Sequence, residues 1–185
     1  VLGALTLMSV SVVLTMGSNF ILMAIIPSIT AKLGLEKTVR ASQFISVILF
    51  IITFILPTSP YVFLIASSLA TGIGATTVLM QWGMMGTVID YNEVVVGKRT
   101  EGSIYGTFNL MRRIGQAIGS SAAVALLPVI GFMPNAASQT PAALTGIKGL
   151  ITFIPAICML ICWLSIKYVW NINEEDKKRI AQLNK

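Results

Sequence analysis

Asp90-Tyr91-Asn92-Glu93-Val94-Val95-Val96-Gly97-Lys98-Arg99-Thr100-Glu101 is a polar island between two long apolar stretches, and the second stretch carries Arg112-Arg113. Charge inside a lipid-soluble segment is expensive, so side chains kept there face a partner, a cavity or a solute path. The 185-residue chain is 55% hydrophobic and 11% charged, with a mean hydropathy of +0.84. A soluble domain carries roughly 25% charged residues. The charges here are too few to coat a globule. The composition therefore predicts an all-α integral membrane protein, because a helix satisfies its own backbone groups in lipid. The net charge of +6 lies in loops and forms no stripe interleaved with aromatics, so nucleic acid is not an expected partner.

Working outward from the island, about 20 predominantly apolar residues are needed per span, and five segments qualify: 5–29, 41–56, 61–88, 103–130 and 150–170, followed by a tail over 171–185. Lys32, Lys37 and Arg40 fall in the first connection, Lys98 and Arg99 in the third, and Lys177, Lys178, Arg179 and Lys185 in the tail. The second connection, 57–60, has no charge, and the fourth, 131–149, holds only Lys148. Basic loops stay on the cytoplasmic side. The alternation predicts a multi-pass protein of the cell inner membrane with connections one and three and the tail cytoplasmic. The chain opens on Val1 without a signal-peptide pattern, and five helices fit repeat-built carriers poorly. It reads as the C-terminal piece of a longer protein. Its expected partners are the lipid bilayer and the preceding, N-terminal half of the same protein.

The candidate solute-side residues lie around the island. Arg113 falls about ten residues into the fourth span, roughly 15 Å along its axis, near mid-bilayer. Tyr105, Asn109, Arg113 and Gln116 form a polar stripe at helical spacing, suited to lining a cavity or to bonding between helices. Arg112 points elsewhere. Gln81 and Trp82 stand about two turns before Asp90, and an indole suits the C–H face of a sugar as well as a lipid interface. Gly115 and Gly119, Gly102 and Gly106, and the run Ser67, Thr71, Gly72, Gly74 and Ala75 predict close helix packing. Pro27 and Pro155 predict kinks or helix ends. Asn173, followed by Glu174-Glu175-Asp176 and Lys177-Lys178-Arg179, predicts a capped surface helix. Cys158 and Cys162 share one helix face and lack partners for a metal site. The chain has no His and no Walker A pattern. Neither an enzyme nor an ATP-driven pump is expected.

Several motifs together carry a resemblance. Asp90-Tyr91-x-Glu93, Lys98-Arg99-x-Glu101, Tyr105 and Arg112-Arg113-x-Gly115-Gln116-Ala117 recur in order. Gly131-Phe132-x-Pro134-Asn135 and Gln139-Thr140-x-x-Ala143-Leu144-x-Gly146 follow them. From about Tyr61 onward the chain resembles the glycoside–pentoside–hexuronide:cation symporters, relatives of the melibiose permease within the major facilitator superfamily. The resemblance implies the C-terminal part of a major facilitator-type helix bundle, with these spans the eighth to twelfth of twelve. It implies a Na⁺ or H⁺ coupling ion held in the preceding half, and no other cofactor.

The same resemblance implies a cytoplasmic gate of Asp90, Glu93 and Arg99, and a solute-binding set of Arg113, Asn109, Tyr105, Gln116, Trp82 and Gln81. Three departures stand out. Phe108 replaces a solute-contacting glutamine, Thr87 replaces an acid, and the family's tryptophan falls at Val78. The expected function is cation-coupled symport of a sugar, glycoside or hexuronide by alternating access. The alternatives are a carrier for a non-sugar solute, and a signalling or assembly protein that keeps the fold without transport.

Overall fold

A computed structural model describes residues 2–56, 59–134, 136 and 138–183. Among these residues it is all-helical, with seven helices in chain order: α1 Leu2–Leu33, α2 Leu35–Ile55, α3 Pro60–Gly74, α4 Thr76–Val96, α5 Glu101–Val129, α6 Pro141–Tyr168 and α7 Glu174–Leu183. Pro57 and Thr58 of the uncharged connection, Asn135 of the last-loop motif and Lys185 of the tail lie outside the described residues. Four stretches are long and apolar enough to cross a membrane: Ser9–Leu33, Leu35–Ile55, Pro60–Val96 and Pro141–Tyr168. The fifth expected span is α5, a helix of 29 residues. At about 1.5 Å per residue it has the length. Its polar stripe and paired arginines keep it from the same apolarity.

Local chemistry sets these boundaries, and several differ from expectation. α1 passes into α2 through Gly34 alone, at φ 88 and ψ 154, a conformation that side-chain-bearing residues avoid. This one-residue link lets α2 begin at Leu35 rather than 41, because Glu36, Lys37 and Arg40 are tolerated in first turns exposed at one end. Pro60 starts α3 at a position where its missing N–H costs nothing, and the Ser59 side chain accepts from Val62 N at 3.5 Å. Only Ala75 separates α3 from α4. α4 then runs through Asp90-Tyr91-Asn92-Glu93, so half of the polar island is helical. It stops at Gly97, φ 71, whose N–H bonds Glu93 O at 2.9 Å.

α6 starts at Pro141, not 150, with Thr140 as its cap: the Ala143 N–H donates to Thr140 Oγ1 at 3.1 Å. Pro27 and Pro155 lie inside α1 and α6 without ending either. Neighbouring turns re-satisfy the backbone groups that a membrane proline frees.

The chain divides into two compact units, Val1–Met80 with Thr145–Val169 and Gln81–Leu144 with Trp170–Lys185. In the first, α3 packs against both α1 and α2. The approach is set by two glycines. A Cβ on Gly72 would lie 2.2 Å from Ser18 Oγ, and one on Gly74 would lie 2.6 Å from Met159 Cε and 2.9 Å from Ser46 Oγ. Phe50, Ala70 and Ala156 form a small apolar core.

Buried polar groups bond across the same contact. Ser46 Oγ donates to Ala70 O at 2.8 Å, while Gln43 Nε2 donates to Gly74 O at 3.3 Å and to Thr77 Oγ1. Phe44 meets Trp163 at 5.6 Å and Phe54 meets Phe153 at 4.3 Å between ring centroids. Ten residues forward on α2 match ten back on α6, so the two run antiparallel.

In the second unit, α5 buries none of its residues. The expected packing at Gly102, Gly106, Gly115 and Gly119 is not met among the described residues, since an added Cβ finds nothing within 4 Å at any of them. Asn173 and Asp176 cap α7 reciprocally: the Asp176 N–H donates to Asn173 Oδ1 at 2.9 Å, and the Asn173 N–H to Asp176 Oδ2 at 3.1 Å.

Candidate functional site

The gate and solute-side residues expected from the sequence all belong to the second unit, on α4, on α5 or in the turn between them. That turn is closed by charge. Arg99 Nη1 lies 2.8 Å from Glu93 Oε2 and 3.4 Å from Asp90 Oδ1, and Arg99 Nε pairs with Glu101 Oε1. Asp90 and Glu93 stand three apart on the last turns of α4, so both carboxylates share a face that the guanidinium reaches from beyond Gly97. The Glu101 hydrogen bond, followed by that of Glu93, raises the pKa of Arg99. Its charge persists at every pH at which a protein is handled. Asn92 Nδ2 donates to Thr100 Oγ1 at 2.8 Å and fixes the other side of the turn.

The structure thus brings together Asp90, Glu93 and Arg99 and adds Glu101. The Lys98-Arg99-x-Glu101 motif held that signal, since a carboxylate two residues on lies within reach of the same guanidinium. These groups pair with one another inside the unit.

Further along, three rings gather. Trp82 lies 6.2 Å from Tyr105 and 6.0 Å from Phe108 between centroids, the second contact edge-on. Trp82 remains 48% exposed, so its indole keeps an open side. Phe108, marked in the sequence only as a departure from the family's glutamine, is the third ring of this cluster. Its spacing of three from Tyr105 puts both rings on one α5 face.

The polar stripe is tied differently from its spacing. Asn109 Nδ2 donates to Tyr105 O at 3.0 Å, and Asn109 Oδ1 accepts from Arg112 Nη2 at 3.3 Å. Asn109 therefore engages Arg112, not Arg113. Arg112 is half-buried, and its Nε is a buried donor without a partner among the described residues. Arg113 and Gln116 are exposed, and among the described residues neither makes a hydrogen bond or ion pair. Gln81 is half-buried beside Trp82 in sequence. In the other unit, Asn19 has its Oδ1 buried without a hydrogen-bond partner among the described residues. No group of three or more metal-ligating side chains occurs among the described residues.

The sequence matches the family described as MFS/sugar transport protein over residues 1–174. The chain belongs to that family. It is 32% identical over 182 residues to an uncharacterized symporter, YjmB, of Bacillus subtilis (strain 168), an overlap of 98% of this chain and 39% of the relative. A second uncharacterized symporter of the same organism, YnaJ, is 28% identical over 88% of this chain and 35% of its own length. A glucuronide carrier protein homolog of Escherichia coli (strain K12) is 28% identical over 83% of this chain and 33% of its own. The chain spans between a third and two fifths of these relatives. No solved structure matches it. The family and these relatives are transporters rather than enzymes, and the melibiose permease-like resemblance of the 90–117 region agrees with them.

Proposed function

We propose that this chain forms part of a cation-coupled symporter that moves a sugar, glycoside or hexuronide across the cell inner membrane by alternating access. The observation that carries this reading is Arg113, an exposed guanidinium without a partner among the described residues, on the helix whose Tyr105 and Phe108 cradle Trp82. A planar guanidinium binds a carboxylate bidentately or donates to hydroxyls. An indole with one open face suits the apolar side of a pyranose ring.

On this reading Arg113, Gln116 and Gln81 supply polar contacts, Trp82 and Tyr105 supply the stacking surface, and Asn109 orients the stripe through Arg112. The glucuronide named for one relative is an acidic sugar, and that charge favours the hexuronide end of the range. Na⁺ or H⁺ is the coupling ion, held by the N-terminal half of the transporter.

Asp90, Glu93 and Arg99 act as the cytoplasmic gate. Ion pairs made in one state and exchanged in another bias an alternating equilibrium by the difference in their free energies. The α7 tail faces the cytoplasm on the same side.

Uptake into vesicles bearing the full-length protein tests this. Labelled glycosides and uronides are supplied with and without a Na⁺ or proton gradient, beside Arg113→Ala. Gradient-driven accumulation that disappears in the variant supports symport with Arg113 in the solute path. Uptake that survives in the variant removes Arg113 from that path, and no sugar uptake by correctly inserted protein overturns the substrate class.

A further inference from the structure

The first unit holds a cavity apart from the proposed solute-side residues, which all lie in the second. A cavity of about 350 Å³ is lined by Lys37, Arg40, Ala41, Phe44 and Trp163. Lys37, Arg40 or Ala41, and Phe44 recur at three- and four-residue steps on one face of α2. Across from them the Trp163 ring of α6 contacts Phe44 at 5.6 Å. Lys167 stands one turn beyond, its Nζ 4.7 Å from the Trp163 ring centroid and 5.1 Å from that of Tyr168. The antiparallel register puts Lys167 at the level of Arg40. No carboxylate lines the cavity, and neither Lys37 nor Arg40 has an ion-pair or hydrogen-bond partner among the described residues. The first turns of α2 add the positive end of a helix dipole.

Below this basic mouth the surface turns apolar. Ile48 and Ile52 continue the exposed side of α2, and Leu160, Ile161 and Leu164 that of α6. A free inorganic anion has no use for such a strip. An amphiphile does: its phosphodiester meets the cations, its glycerol region meets Trp163, and its acyl chains lie along the isoleucines. Indole and lysine side by side are also what a membrane–water boundary selects. We infer that the α2–α6 cleft at Lys37, Arg40 and Trp163 is a binding site for an anionic glycerophospholipid of the leaflet at that end.

The test is a titration of purified full-length protein with phosphatidylglycerol, phosphatidylcholine and inorganic phosphate, reading bound lipid by native mass spectrometry. Each juxtamembrane cation adds about five-fold in affinity for an anionic lipid, so phosphatidylglycerol is expected to bind at least about five-fold tighter than phosphatidylcholine. In Lys37→Gln/Arg40→Gln that preference falls by at least about five-fold, Lys167 supplying what remains, while Lys98→Gln, in the α4–α5 turn, retains it.

Equal binding of the two lipids by the native protein overturns the proposal, as does a preference left unchanged by the double variant. Displacement of phosphatidylglycerol by millimolar phosphate assigns the cations to a free anion and overturns the lipid. A measurement on native side chains guards against a misfolded variant. Chain-brominated phosphatidylglycerol should quench the emission component lost in Trp163→Phe more strongly than brominated phosphatidylcholine does. Equal quenching by the two lipids also overturns the site.

Discussion

Trp82 meets Phe108 edge-on, with ring centroids 6.0 Å apart and planes at 68°. Such pairs contribute about 0.5–1.5 kcal/mol beyond their buried area. The resemblance implies a glutamine at the position of Phe108, so on the proposed reading a ring that braces an indole stands in place of a hydrogen-bonding group and favours stacking over polar recognition. The contact joins Trp82 of α4 to Phe108 of α5.

Trp82→Ala should therefore raise the KM for uptake by about three- to ten-fold with little change in kcat, the pattern of lost uniform binding. Trp82→Phe should keep most of the affinity. Phe108→Gln should alter the ranking of substrates more than the rate for any one of them. Concentration-dependent uptake decides the matter: an unchanged KM in Trp82→Ala would make the indole packing alone.

Gly72 is the tightest helix contact in the first unit. An added Cβ would meet Ser18 Oγ at 2.2 Å and Ser18 Cβ at 3.0 Å, and Ser18 Oγ is held by donating to Thr15 O at 2.8 Å. Gly72→Ala should lower stability by about 1–3 kcal/mol, the usual cost of overpacking. Ser18→Gly in the same protein should recover much of that loss. Gly17→Ala, whose Cβ meets nothing within 4 Å, serves as the comparison. Thermal melts in detergent in which Gly72→Ala matches Gly17→Ala would show that α1 and α3 do not approach so closely.

The division between what the sequence reveals and what it hides follows from range. Apolar length and loop charge mark the spans, because lipid imposes both on any chain. The positions of Gly72 and Gly74 are legible as small residues, two apart and so on opposite sides of α3, where one meets Ser18 of α1 and the other Ser46 of α2 and Met159 of α6. The glycines of α5 look just as telling on paper and meet nothing among the described residues, because spacing shows that a face is smooth and not what covers it.

Helix ends are less visible. Gly34 and Thr140 extend α2 and α6 into stretches whose charges resemble loop. The Arg99 cluster is local: the resemblance implies Asp90, Glu93 and Arg99, and the structure pairs them with one another and adds Glu101 from two residues on. Which arginine Asn109 would hold could not be named from the sequence, because positions 112 and 113 differ by one step of roughly 100° about the helix and only side-chain packing chooses between them.

Gln43 is 1% exposed, with its amide donating to Gly74 O and Thr77 Oγ1. Gln43→Leu keeps most of the volume and removes the donor for both acceptors. The loss should be about 1 kcal/mol, the scale of an interhelical hydrogen bond in a membrane protein. A melting temperature that rises in Gln43→Leu would mean that the amide costs more to bury than its bonds return, as its unpartnered Oε1 allows.

Arg112 and Arg113 should separate into a structural and a solute-facing role. Arg112 holds Asn109 and is half-buried, whereas Arg113 is exposed and unpaired. Arg113→Ala should leave the melting temperature nearly unchanged and cut uptake of an acidic sugar by at least about ten-fold, the value of one charge-assisted hydrogen bond. Arg113→Lys should restore only part of it, because an ammonium cannot reproduce the planar fork. Arg112→Ala should do the reverse, lowering the melting temperature by freeing Asn109 while sparing most of the uptake rate. Parallel melts and gradient-driven uptake on the three variants read both quantities. Should Arg112→Ala abolish uptake while Arg113→Ala preserves it, the solute path runs along the Asn109–Arg112 face of α5, and the exposed guanidinium of Arg113 belongs to another helix or to lipid.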